Sequence, residues 1–117
     1  DEWMWVEGNH DPDLPDGIPG TPCFEIILDN MVFRHEPENE EPKAQVIGHF
    51  HPKMRTAIKR RRFSGKCFVN DKHIFIMPAF GQFTGGLDID DDVVKALISP
   101  SKRDVFMLCD SIIFKVK

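Results

Sequence analysis

The stretch Ala44-Gln45-Val46-Ile47-Gly48-His49-Phe50-His51-Pro52 decides how this chain is read. Ala44 to Ile47 is short and mostly apolar, as a buried strand would be. Gly48 ends it and lets the backbone turn tightly and approach other groups. His49 and His51 follow two residues apart, and in extended backbone such positions project to one side. Pro52 stiffens the exit. Neutral imidazole is a good ligand for zinc and iron, so two rings at one strand end form part of a metal-site arrangement. His-x-His alone recurs by chance, so the rest of the chain has to carry the assignment.

Working outward, the same grammar returns. Trp3 to Val6 reads as a strand that stops at Gly8, with Asn9, His10 and Asp11 directly after it. Asp11 to Thr21 is a loop, because Pro12, Pro15, Gly17, Pro19 and Gly20 exclude regular structure. Cys23 to Leu28 reads as a strand, Asp29-Asn30 as a hairpin turn, and Met31 to Arg34 as the return strand that delivers His35. Glu36 to Lys43 is a polar loop. Further on, Thr56 to Arg62 is a basic approach to the next strand. Lys66 to Val69 and His73 to Met77 form a hairpin about Asn70-Asp71. Pro78 to Leu87 is a Gly- and Phe-rich loop. Asp90-Asp91-Asp92 opens a short helix over Val93 to Ile98. Val105 to Leu108 and Ile112 to Val116 make a last hairpin. The chain is strand-rich with little helix, and such a sheet standing alone exposes one side.

Composition bounds the function. The 117 residues suit one small domain, and a net charge of −4 gives no global basic footprint for nucleic acid. Bases gather locally at Lys59-Arg60-Arg61-Arg62, which reads either as a phosphate contact or as a solvated edge. Cys23, Cys67 and Cys109 are odd in number and widely spaced, which argues against a disulfide framework and a zinc finger. Reduced thiols in a cytoplasmic setting are the simplest expectation. No apolar run approaches the roughly 20 residues of a membrane span. The chain begins at Asp1 without Met, so an upstream segment stays open.

Four histidines, His10, His35, His49 and His51, fall just after predicted strands, where open sheets build their sites. Asn9 offers a neutral amide oxygen as a ligand. His10 offers a proton, and Asp11 can hold its other ring nitrogen. Phe80, Gly81, Gly85 and Gly86 lie in a loop that either lines a substrate cleft or packs its phenylalanines in the core.

Taken in order, Gly8-Asn9-His10-Asp11, His35 within Phe33-Arg34-His35-Glu36-Pro37, and Gly48-His49-Phe50-His51 resemble the second half of the calcineurin-like metallophosphoesterase signature. The branch most resembled is the bacterial ligase-associated DNA-damage-response phosphoesterases, through Trp5 to Pro12, Cys67-Phe68-Val69, Pro78 to Asp88 and the closing segment Val105 to Val116. The resemblance implies that Asn9, His35 and His49 ligate one metal and His51 the other. It implies that His10 orients the phosphate and protonates the leaving oxygen, held by Asp11. Two divalent ions, manganese, iron or zinc, would clamp the phosphoryl group about 3.5–4 Å apart.

The chain departs from that family in one respect. The family's Asp-x-His and Gly-Asp motifs do not precede Asn9, and no Gly-Asp occurs anywhere. Asp71-Lys72-His73 matches Asp-x-His in letters only, since it lies in a predicted hairpin turn. The expectation is therefore an α/β fold, the C-terminal half of a four-layer α/β/β/α sandwich, with residues 1–117 as one partial domain. The function expected is metal-dependent hydrolysis of phosphate esters, nucleotide or nucleic-acid related, with no membrane partner. This chain alone would bind at most one metal, weakly, and be inactive. The alternative is a non-catalytic remnant or binding module with a partial metal site.

Overall fold

Along four strands of the chain, Val32, Ile47, Cys67, Val69, Val105 and Met107 are buried at every second position while their neighbours are not. That period of two defines one packed face of a sheet. The computed structural model describes residues 4–8, 20–81 and 85–116. Among these residues lie β1 (Met4–Val6), β2 (Thr21–Cys23), β3 (Glu25–Leu28), β4 (Met31–Arg34), β5 (Ala44–Ile47), β6 (Lys53–Ile58), β7 (Arg61–Asn70), β8 (Ile74–Ile76), α1 (Asp92–Leu97), β9 (Asp104–Cys109) and β10 (Ile112–Lys115).

The large sheet has the order β10-β9-β7-β8-β5-β4-β3, with β6 added beside β7. Its middle is parallel: β4 pairs with β5, and β5 with β8. Both flanks are antiparallel. β1 and β2 form a separate parallel pair. Beneath the packed face lie Val94 and Ile98 of the helix region, joined to Ile47, Ile76, Val105 and Met107 in one core. Asp91 caps α1 by accepting from the Val93 N–H, and Asp92 suits the positive end of the helix.

The other face is apolar too, yet it is only partly covered. Register places Phe33, Val46, Phe75, Phe68 and Phe106 there in a continuous row, each partly exposed. At the β3 end, Leu28 and Met31 on the same face are exposed as well. Large contiguous apolar surface of this kind marks a place where another element binds.

The four-layer, helix-flanked sandwich expected from the resemblance is not formed by the described residues. The described structure is 48% strand and 6% helix. α1 has six residues and buries only Val94 among them, too little to form a layer over a sheet. Elsewhere the sequence has no sustained 3.6-residue apolar period from which further helices could form. The strand-rich reading does agree with the structure. No described helix is long and apolar enough to cross a membrane.

One polar network sets the loops. Arg34 is buried, and its guanidinium donates to Glu25 and to the Gln45 Oε1 at 2.9 Å. Gln45 in turn accepts from the Glu38 N–H at 2.9 Å and donates to the Glu38 carbonyl at 3.1 Å. The network ties β3, β4 and β5 to the loop after β4. Removing the guanidinium leaves Glu25 and Gln45 short of partners. Arg34→Ala should therefore cost about 2–3 kcal/mol in urea unfolding.

The Cys67 thiol, wholly buried on β7, is pushed up from an ordinary 9.0 to about 12. Burial is the main cause, the charge of Asp88 adds to it, and Arg103 opposes it. The folded chain holds this proton after the unfolded chain has released it. The associated stabilisation is thus present below about pH 9 and lost as pH rises towards 12. At pH 8, Ellman's reagent should label Cys23 and Cys109 in the native protein and Cys67 only after unfolding.

Candidate functional site

Because β4, β5 and β8 run parallel, their carboxyl ends share one edge of the sheet. β4 ends at Arg34 and releases His35. β5 ends at Ile47 and releases Gly48-His49. β8 ends at Ile76 and leads to the Pro78–Leu87 loop. Two hydrogen bonds lock these exits side by side: Gly48 N–H to the His35 carbonyl at 3.1 Å, and Met77 N–H to the Ile47 carbonyl at 2.8 Å.

The imidazoles of His35 and His49 meet there. His35 Nε2 and His49 Nδ1 are 3.1 Å apart, with the rings nearly perpendicular. The outer nitrogen of His49, Nε2, lies 3.3 Å from the Glu36 carboxylate. Glu36 thus faces the ring from the far side and can accept its N–H, which leaves Nδ1 as a lone-pair donor. The His35 ring sits against two glycines. A Cβ on Gly8 would lie 3.0 Å from His35 Cε1, and one on Gly48 3.8 Å from Nδ1. The missing side chain at Gly8 is what lets the segment after β1 come against His35. A cleft of about 330 Å³ opens at this point, lined by Glu7, Gly8, His35 and Glu36 among others.

His51 departs from expectation. Residues 48–52 are not extended: the Phe50 N–H turns back to the Gly48 carbonyl at 2.8 Å. His49 and His51 have φ values of 66° and 49°. Non-glycine residues hold that left-handed conformation at a cost of about 1–2 kcal/mol each. The two rings take different neighbours. His49 turns to His35, and His51 Nδ1 reaches the Gly85 carbonyl at 3.1 Å. That contact assigns the proton to Nδ1 and leaves Nε2 as the lone-pair nitrogen.

The other expected residues divide into three groups. Asn9, His10 and Asp11 lie outside the described residues. Gly85 and Gly86 lie beside His51, as contacts above and below show. Gly81 accepts from the Lys66 ammonium, and Phe80 is fully exposed, which excludes the core-packing reading for that ring. Asp71 spends its carboxylate on the N–H groups of His73 and Ile74, at the amino end of β8 and so away from the histidine pair. Sequence reading missed Glu36, although its place directly after His35 was the available signal. Among the described residues, no group of three or more His, Cys, Asp or Glu side chains is arranged to hold a metal ion by itself.

No family model and no curated protein matches this chain. Its structure does resemble a solved one, the crystal structure of Pseudomonas putida nuclease MPE, with a TM-score of 0.71 and 25% sequence identity. The chain shares a fold with that nuclease. The likeness covers 98% of this chain and 54% of the nuclease, so the chain spans about half of that protein's length.

Two adjacent glycines test the local geometry. A Cβ on Gly86 would fall 2.2 Å from the His51 carbonyl, whereas one on Gly85 meets nothing within 4 Å. Gly86→Ala should therefore lower stability by about 1–3 kcal/mol by urea unfolding. Gly85→Ala should leave the midpoint nearly unchanged.

Proposed function

We propose that this chain carries part of a two-metal phosphodiesterase site acting on nucleic acid, of the calcineurin-like type. The observation that supports this most is the meeting of His35 Nε2 and His49 Nδ1 at 3.1 Å on the carboxyl edge of the parallel strands. Two imidazole nitrogens this close fit a zinc or iron ion by donor chemistry, and oxygen donors such as the Asn9 amide would extend the fit to manganese. Glu36 behind His49 fits the habit of ligating histidines to give their second N–H to a carboxylate. The fold shared with a nuclease supports the substrate class.

In this reading Asn9, His35 and His49 would hold one cation, and His51 would help to hold a second. Divalent cations bound there would polarise the phosphoryl oxygens and activate water near neutral pH. His10, with Asp11 as the partner of its other ring nitrogen, would orient the phosphate and give its proton to the leaving oxygen. Gly85 fixes His51 through its carbonyl. Phe80 and Gly81 would contribute to the substrate cleft from the loop after β8. The bridging carboxylate and the rest of the second cation's ligands belong to Asp-x-His and Gly-Asp motifs, which this sequence does not carry before Asn9. Without a bridge, two dications would repel with little compensation. This chain alone therefore holds at most one cation, weakly, and turns over little substrate.

Calorimetric titration with Mn²⁺ tests the assignment. The chain should show a single weak site that His49→Ala removes and His73→Ala spares. Tight two-site binding, or loss through His73, would overturn it. In a protein that also supplies the other two motifs, His10→Ala should lower turnover and keep the metal, while His49→Ala should lower metal content. Equal metal loss in both would contradict these roles.

A further inference from the structure

Between Glu41 and Asp71 the chain carries no carboxylate, yet this stretch holds eight of its 15 lysines and arginines. The remainder is strongly acidic, so the charge is segregated. Most of these cations lie on the β6–β7 hairpin. Its turn is Lys59-Arg60, both in the left-handed region with φ of 51° and 68°.

Register sorts the hairpin into two faces. Met54↔Gly65, Thr56↔Phe63 and Ile58↔Arg61 form one, where Met54 is buried and Phe63 packs on the core and against Phe114. Lys53↔Lys66, Arg55↔Ser64 and Ala57↔Arg62 form the other. That second face is a cationic stripe with only small residues between the charges. Lys53 and Lys66 stand directly opposite each other, and like charges so placed destabilise a sheet. Among the described residues, neither Arg55 nor Arg62 has an ion pair, and both are exposed.

The stripe begins at the candidate site. Lys53 follows His51 by two residues, and Gly86 lies against both the His51 carbonyl and the Lys53 side chain. A recess of about 490 Å³ is lined there by Lys53, Arg55, Lys66 and Gly86, with Asp88 the one carboxylate at its wall. From it the charges run outward to Arg55 and Arg62. Alternate residues on a strand are about 6.7 Å apart, so they offer repeated cations along a line.

We propose that the outer face of the β6–β7 hairpin is a binding arm for the phosphate backbone of a nucleic-acid strand, leading it to the His35–His49–His51 edge. The sequence-independent grip comes from Arg55 and Arg62, with Lys53 at the inner end, while the Lys66 ammonium is held by the Ala79 and Gly81 carbonyls and adds only its charge. Stacking of Arg61 over Phe63, 5.6 Å from the ring centroid, keeps that side chain on the opposite face. The direction of the strand rests on the phosphodiesterase reading above; the arm itself does not.

The test is binding of a fluorescein-labelled 20-nucleotide single strand to the whole chain, by anisotropy at several salt concentrations. The double variant Arg55→Gln, Arg62→Gln should bind at least tenfold more weakly at low salt. Its log-affinity against log-salt slope should be shallower by about 1.4, the value for two lost phosphate contacts on a single strand. Circular dichroism should show the fold unchanged. Equal affinity and slope in variant and parent would overturn the proposal, whether or not metal-dependent hydrolysis is ever found. So would polyglutamate displacing the oligonucleotide at equal charge concentration, since that would assign the arm to acidic protein. A lowered affinity in the variant, together with a parent chain that shows no His49-dependent Mn²⁺ site by calorimetry, would sustain the arm and remove the phosphodiesterase reading instead.

Discussion

The parallel pairing of β4 with β5, which sets Arg34 opposite Ile47, is the constraint on which the site depends. It brings two strand exits to the same level, so that the Gly48 N–H can take the His35 carbonyl. A shift of one residue would turn every side chain on β5 to the opposite face and separate the rings. The buried Arg34–Gln45 hydrogen bond guards against that shift, because both residues lie on the packed face and would lose partners. Register, network and histidine pair are therefore one structural unit.

The second constraint is the unfinished apolar face. Phe33, Phe68, Phe75 and Phe106 form a row on the side of the sheet away from α1, and each is partly exposed. Burial of such surface contributes about 25 cal/mol per Å² where a partner covers it. The chain spans about half of the nuclease whose fold it shares, which is consistent with a sheet made to be covered by more protein. The same deficit appears in the chemistry, where the proposed ligand set also awaits further residues.

Much of the architecture was legible because short apolar runs alternate with Gly, Pro and Asn-Asp punctuation. The strands before His35 and Gly48, the Asp91-capped helix and the last hairpin all follow from such signals. Other features were not. The Cys23–Leu28 run looks continuous, yet it breaks at Phe24 because its halves join different sheets. The β6–β7 hairpin turns on Lys59-Arg60, which lack the glycine or asparagine that usually signals positive φ. His-x-His was read as extended backbone, but His49 and His51 both hold positive φ, and no sequence pattern announces that. The helical layers implied by resemblance have no counterpart in the periodicity of this chain.

Nitrogen-15 spectra of the imidazole rings during a Zn²⁺ titration test the central claim most directly. The account predicts that His35 Nε2 and His49 Nδ1 shift together and saturate at the same zinc concentration, while both nitrogens of His73 stay where they were. Zinc shifting one of the pair without the other, or acting first at His73, would contradict it.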